Sequence, residues 1–157
     1  MRPTFLTVLC ILTFIWNSYK IYNSFNAHQN AALTAQKLPE IMETVQDQMN
    51  SNNQMSEQDE AEAKKMLDGM MNSFTEDNIK VSSIINGISA LLLIIGAALM
   101  WDLKKRGFWL YLAGCAAGVL APMFIFGGAV GVGIGILSAV CALLFVGMYS
   151  ANLKALV

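Results

Sequence analysis

Few residues in this chain have the types and spacing needed for chemistry. There is a single histidine, His28, and the three cysteines, Cys10, Cys115 and Cys141, all lie within apolar stretches. No Cys-x-x-Cys pair occurs, which argues against a disulfide-stapled outer domain and against a thiol oxidase needing exchangeable loop cysteines. Met66, Met70 and Met71 cluster closely enough to suggest a thioether site for Cu(I). With no cysteine and only His28 outside the apolar stretches, flexible apolar packing is the better reading of those methionines. No Ser-His-Asp set, metal-ligand cluster or phosphate loop is present, so the expectation is a protein that is not an enzyme and takes no cofactor.

Two polar sets remain. Thr13, Asn17 and Lys20 share one helical face, and Ser82, Asn86 and Ser89 share another. Both fall inside apolar runs, where a polar side chain needs a partner on a neighbouring helix. The two sets are therefore expected to face each other and hydrogen-bond, with Lys20 reaching towards nearby acids. Such bonds are worth ~0.6 kcal/mol each, so specifying helix packing is the expected role and a solute site the lesser one.

The elements that must position these residues follow from composition. The 157 residues are 55% hydrophobic and only 13% charged, with a mean hydropathy of +0.50. Four apolar runs are long enough to cross a ~30 Å hydrocarbon core as helices. The expected spans are 1–25, 81–101, 108–126 and 128–151. The first is read as a retained anchor, because it is long for a signal peptide and no clean cleavage site follows it. The expected fold is all-α, an integral membrane four-helix bundle with an extracytoplasmic helical hairpin, 26–80, between spans one and two. That segment holds ten acids against four lysines, a net charge of −6, while the whole chain is at −1. No basic stripe interleaves with aromatics, so nucleic-acid binding is not expected.

Basic residues give the direction. Arg2, the Lys104-Lys105-Arg106 link and Lys154 all fall on one face of a four-span chain, which marks that face as cytoplasmic and puts both termini there. Trp16, Tyr19 and Tyr22 are placed at the outer boundary, and Trp101, Trp109 and Tyr149 near the inner one. In the outer segment, Leu38-Pro39 predicts a bend and a new helix start. Asn50 to Asn53 should end that helix, Ser56 should cap the next, and Thr75 should cap a helix running into span two. Met66, Leu67, Met70, Met71 and Phe74 then form a candidate partner-binding face. In span four, Gly127, Gly131, Gly135 and Ala139 make a row of small residues suited to helix packing or to a homo-oligomer. Pro122 is expected to kink span three.

The opening Met1 to Phe14 (MRPTFLTVLCILTF) and the stretch Trp101 to Tyr111 (WDLKKRGFWLY) followed by Gly114 are similar to segments of uncharacterised small four-span inner-membrane proteins of Bacteroidota-type bacteria. The resemblance implies a bacterial inner membrane and no particular activity. The layout also resembles that of claudin-like proteins, but the outer-loop cysteine pair of that family is missing. The functional expectation is a non-enzymatic accessory or scaffold subunit that contacts membrane lipid and binds another envelope protein. The alternative is a carrier or pore for a small neutral or apolar solute, which requires a cavity near Asn17 and Asn86.

Overall fold

The computed structural model describes residues 4–51 and 57–153, and all its regular structure is helical. The helices are α1 (Thr4–Gln29), α2 (Ala31–Ser51), α3 (Glu57–Ser73), α4 (Glu76–Trp101), α5 (Arg106–Phe126) and α6 (Gly128–Ser150). Helices α1, α4, α5 and α6 are long and apolar enough to cross a membrane. Arg2, Asn52, Asn53, Ser56 and Lys154 lie outside the described residues, so the cap at Ser56 and two of the three basic sites do too.

The helix boundaries have local causes. Thr75 is extended and its side chain accepts from the Asn78 backbone amide at 3.3 Å, while Glu76 and Asp77 sit in the positive first turn of α4. At the other end of α4, Leu103 adopts φ 63°, and the Lys104 amide reaches back to the Leu99 carbonyl at 2.9 Å. This is a Schellman-type stop built on a leucine in the left-handed region, which glycine usually occupies. Between α5 and α6 only Gly127 intervenes, at φ 59° and ψ −178°, a conformation open almost only to glycine.

The new helix start expected at Pro39 does not occur. Pro39 lies inside α2, and the interruption falls at Asn30, whose side chain bonds the Asn26 carbonyl at 3.0 Å. An asparagine that satisfies the backbone locally breaks the helix there at small cost, and α2 loses only one backbone bond at the proline.

Helix α4 is the centre of the bundle, packed on α1 and on α5, and α5 packs in turn on α6. Its crossing with α5 is backbone on backbone. A Cβ at Gly96 would lie 2.8 Å from the Tyr111 nitrogen, and one at Gly107 would lie 2.6 Å from the Gly96 carbonyl oxygen. Helices α2 and α3 pack on each other, α2 also on α4, and α3 also on α6. Phe74 stacks on Phe126, with ring centroids 4.7 Å apart, fixing α3 to the α5–α6 turn. The pair therefore sits at one end of the bundle, the hairpin end. The basic link before α5 marks the other end, the link end.

The packed core lies towards the link end. Leu6, Leu9 and Cys10 of α1 meet Leu93 and Met100 of α4, Phe108 and Tyr111 of α5, and Tyr149 of α6. Apolar side chains elsewhere point outward, among them Ile15, Phe124 and Leu143, as a lipid-facing surface requires.

Candidate functional site: a cavity in the bundle

Above that core the bundle is hollow. A cavity of about 650 Å³ lies among α1, α4, α5 and α6, within the range of small-molecule sites. All six residues of the two polar sets line it: Thr13, Asn17 and Lys20 on one wall, Ser82, Asn86 and Ser89 on another. Cys115 and Gly118 of α5 and Ser138 and Cys141 of α6 add to its polar or small lining, as do Asn23, Ser24 and Ser83. Phe74 and Thr34 stand at the hairpin-end rim.

The polar sets thus share one space, but the expected hydrogen bonds between them do not form. The Thr13 hydroxyl pairs with the Tyr149 hydroxyl at 2.9 Å, and Asn17 Nδ2 donates to the Thr13 carbonyl on its own helix at 2.8 Å. Asn86 bonds Ser82 within α4, and the Ser89 hydroxyl donates to the Gly114 carbonyl of α5 at 2.7 Å. The reason is competition: carbonyls and hydroxyls nearer at hand on the same helix, on α5 and on α6 take up these groups. Lys20 does not meet an acid either. Among the described residues it makes no ion pair or hydrogen bond, and it faces Cys115 from across the cavity. Asn17 is 3% exposed, and its Oδ1 has no hydrogen-bond partner, the one such buried side-chain atom among the described residues.

The floor is a belt of hydroxyls and rings. Tyr149 is fully buried rather than at a lipid boundary, and its ring lies 4.7 Å from that of Tyr111. The Cys10 thiol, beside it, donates to the Ala97 carbonyl at 3.6 Å. The belt closes the link end. One side is less closed: α1 and α6 meet at Thr13 and Tyr149 but do not pack along each other towards the hairpin end. The cavity-lining residues Trp16 and Tyr19 of α1 and Leu137 of α6 are also strongly exposed outward, Leu137 at 71%. They are the lips of a lateral cleft.

The other sequence candidates are dispersed. Leu67 and Met71 border a gap of about 280 Å³ between α3 and α2, opposite Met42. Phe74 is taken up by Phe126, while Met66 is 60% exposed and Met70 is exposed as well. In the glycine row, Gly131 and Gly135 are buried against Pro122 and Met123 of α5, Gly127 makes the turn, and Ala139 is half-buried. Pro122 is buried in the same contact. Sequence reading missed Tyr149 and Tyr111 as the floor and Gly107 as half of the α4–α5 crossing. A tyrosine near the end of an otherwise apolar α6 was the available signal for the first, and Gly107 carried none beyond its residue type.

No protein-family model matches the chain, and neither a curated protein nor a solved structure matches it significantly.

Proposed function

We propose that this protein is a membrane-embedded binding protein or carrier for a small lipophilic solute, held in the cavity between α1 and α6. The observation that carries the reading is the gathering of all six residues of the two polar sets around one space above a solid floor. Among the described residues, Asn17, Lys20, Ser82 and Asn86 make no hydrogen bond to another helix. The closed belt at Thr13, Tyr149 and Tyr111 favours a one-ended site over an open pore. No reaction and no cofactor are assigned to it.

The sidedness belongs to the same proposal. Lys104, Lys105 and Arg106 at the link end support a cytoplasmic location for that end, with α2 and α3 outside in a bacterial inner membrane. A membrane-impermeant maleimide should then label Ala32→Cys but not Lys104→Cys in intact cells.

The cavity is tested through Cys115. With Cys10 and Cys141 replaced by alanine, a small uncharged maleimide should modify Cys115 in nanodiscs. Ser138→Trp should slow that reaction at least tenfold by filling the space. If Cys115 reacts no faster than Cys10 does in the converse variant, the space is not accessible and the reading fails. A second reading, an accessory subunit docking an envelope partner, is favoured by the exposed Met66 and Met70 and by Ile41 on α2. Stable co-purification in mild detergent, lost on Met66→Glu, would support it.

A further inference from the structure

Resting on the cavity reading, the geometry points to an anionic bilayer phospholipid as the occupant, its head group held at Lys20 and one acyl chain entering the cavity through the cleft between α1 and α6. Three independent observations converge on this.

The first is charge. Lys20 is the one Lys, Arg, His, Asp or Glu among the described residues lining the cavity, and no acid of the described residues pairs with it. A lysine within a membrane helix is costly unless it reaches an interface or meets an anion. Lys20 is half-buried on the cavity face, while its neighbour Tyr19 is turned outward. An anion in the cavity mouth would supply the missing counter-charge. The second is layout. Lys20 stands at the mouth and the solid floor at Thr13 and Tyr149 lies beneath it, so the cavity is charged at one end only, as a phospholipid is.

The third is access and depth. Trp16, Tyr19 and Tyr22 are exposed around the same turns of α1 as Lys20. Aromatic belts of this kind mark the head-group level, so Lys20 lies where a phosphate does. From there to the floor at Thr13 is about 10 Å along the helix at 1.5 Å per residue. That depth is lined largely by apolar groups such as Leu93, Val119 and Phe145. The upper part of an acyl chain fits that depth, the remainder lying in the bilayer, and the lateral cleft admits it without crossing water. A soluble anion would have to pass α2, α3 and the Phe74 rim instead.

The experiment titrates phosphatidylglycerol, phosphatidylcholine and diacylglycerol of identical chains into the purified full-length protein and counts bound lipid by native mass spectrometry. Phosphatidylglycerol should bind about tenfold tighter than phosphatidylcholine, which carries the same phosphate but would set its choline cation against Lys20. Lys20→Gln should abolish the preference and Lys20→Arg should keep it, both with the wild-type melting temperature. Equal binding of the two phospholipids, or a preference that survives Lys20→Gln, overturns the inference. If Ser138→Trp still expels all three lipids in that event, the cavity reading stands and only the choice of occupant fails. If Ser138→Trp displaces none of them, the cavity reading fails as well.

Discussion

Replacing Gly96 by alanine puts one methyl group into the backbone-on-backbone crossing of α4 and α5. That Cβ would lie 2.8 Å from the Tyr111 nitrogen, 2.9 Å from the Gly107 oxygen and 3.0 Å from the Tyr111 Cα. All three are backbone atoms, so no rotamer change relieves them and α4 must move off α5 by more than half an ångström. Overpacking of this kind costs ~1–3 kcal/mol. The same movement stretches the Ser89–Gly114 hydrogen bond, now 2.7 Å, for a further ~0.6 kcal/mol. Replacing a mid-helix glycine returns at most about 1 kcal/mol. The net expectation is a loss of about 2 kcal/mol, roughly a thirtyfold change in the unfolding equilibrium. Cys10, fully buried in the core, is a native reporter. In a Cys115→Ala, Cys141→Ala background, its labelling by a thiol dye in detergent should speed up by about that factor under conditions where opening is a fast pre-equilibrium. Gly107→Ala should cost as much, since its Cβ meets the Gly96 oxygen at 2.6 Å and the Met100 nitrogen at 2.7 Å. The double variant should cost less than the two singles together, because one separation of the helices accommodates both methyls. Gly133→Ala is the control, with nothing within 4 Å of its Cβ, and should be neutral or slightly stabilising. A Gly96→Ala protein within 0.5 kcal/mol of wild type, or a Gly133→Ala protein equally weakened, would refute the close crossing.

Other outcomes follow from single contacts. Gly127→Ala should lower stability by ~1–3 kcal/mol although its Cβ would meet open space, because φ 59° with ψ −178° is strained for any L side chain; thermal unfolding in detergent checks this. Tyr149→Phe and Thr13→Val each remove one side of the 2.9 Å floor bond. A double-mutant cycle between them should give a coupling of ~0.6 kcal/mol and no more than ~1.7 kcal/mol. Thr75→Ala removes the α4 cap and should cost ~1 kcal/mol, with increased hydrogen exchange confined to Asn78 and its neighbours.

The spans were legible because their signal is summed over some twenty residues, so no single side chain has to be read correctly. The cap at Thr75 was legible too, since a hydroxyl before two acids satisfies free amides through local geometry alone. The helix boundary was misplaced because Leu38-Pro39 carries a strong local preference and Asn30 a weak one. In α2 the helix absorbs the proline by losing one bond, whereas at Asn30 a side chain completes the break. The polar face of α1 and that of α4 were each legible from spacing. What spacing does not encode is the distance between two helices. Which bonds form depends on which helices meet: Ser89 finds the Gly114 carbonyl of α5, and Thr13 finds Tyr149 of α6.

That dependence also decides which part of the molecule is the better candidate for specificity. The segment of α2 and α3 holds most of the charge, yet its apolar face is divided: Leu67 and Met71 turn towards α2, Phe74 is spent on Phe126, and Met66 is left exposed. The four long helices hold little charge, but their one unmet charge opens onto a cavity. Among the described residues Lys20 has no counter-ion, and it lines the cavity with the polar faces of α1 and α4. An anionic ligand that met it would stabilise the folded protein in proportion to its affinity, by about 2.7 kcal/mol at a hundred times its dissociation constant. The melting temperature should therefore rise with added phosphatidylglycerol in the wild type and stay flat in Lys20→Gln, while Met66→Glu leaves the response intact. The opposite pattern, with the response lost in Met66→Glu and kept in Lys20→Gln, would move the site of specificity from the cavity to the α2–α3 pair.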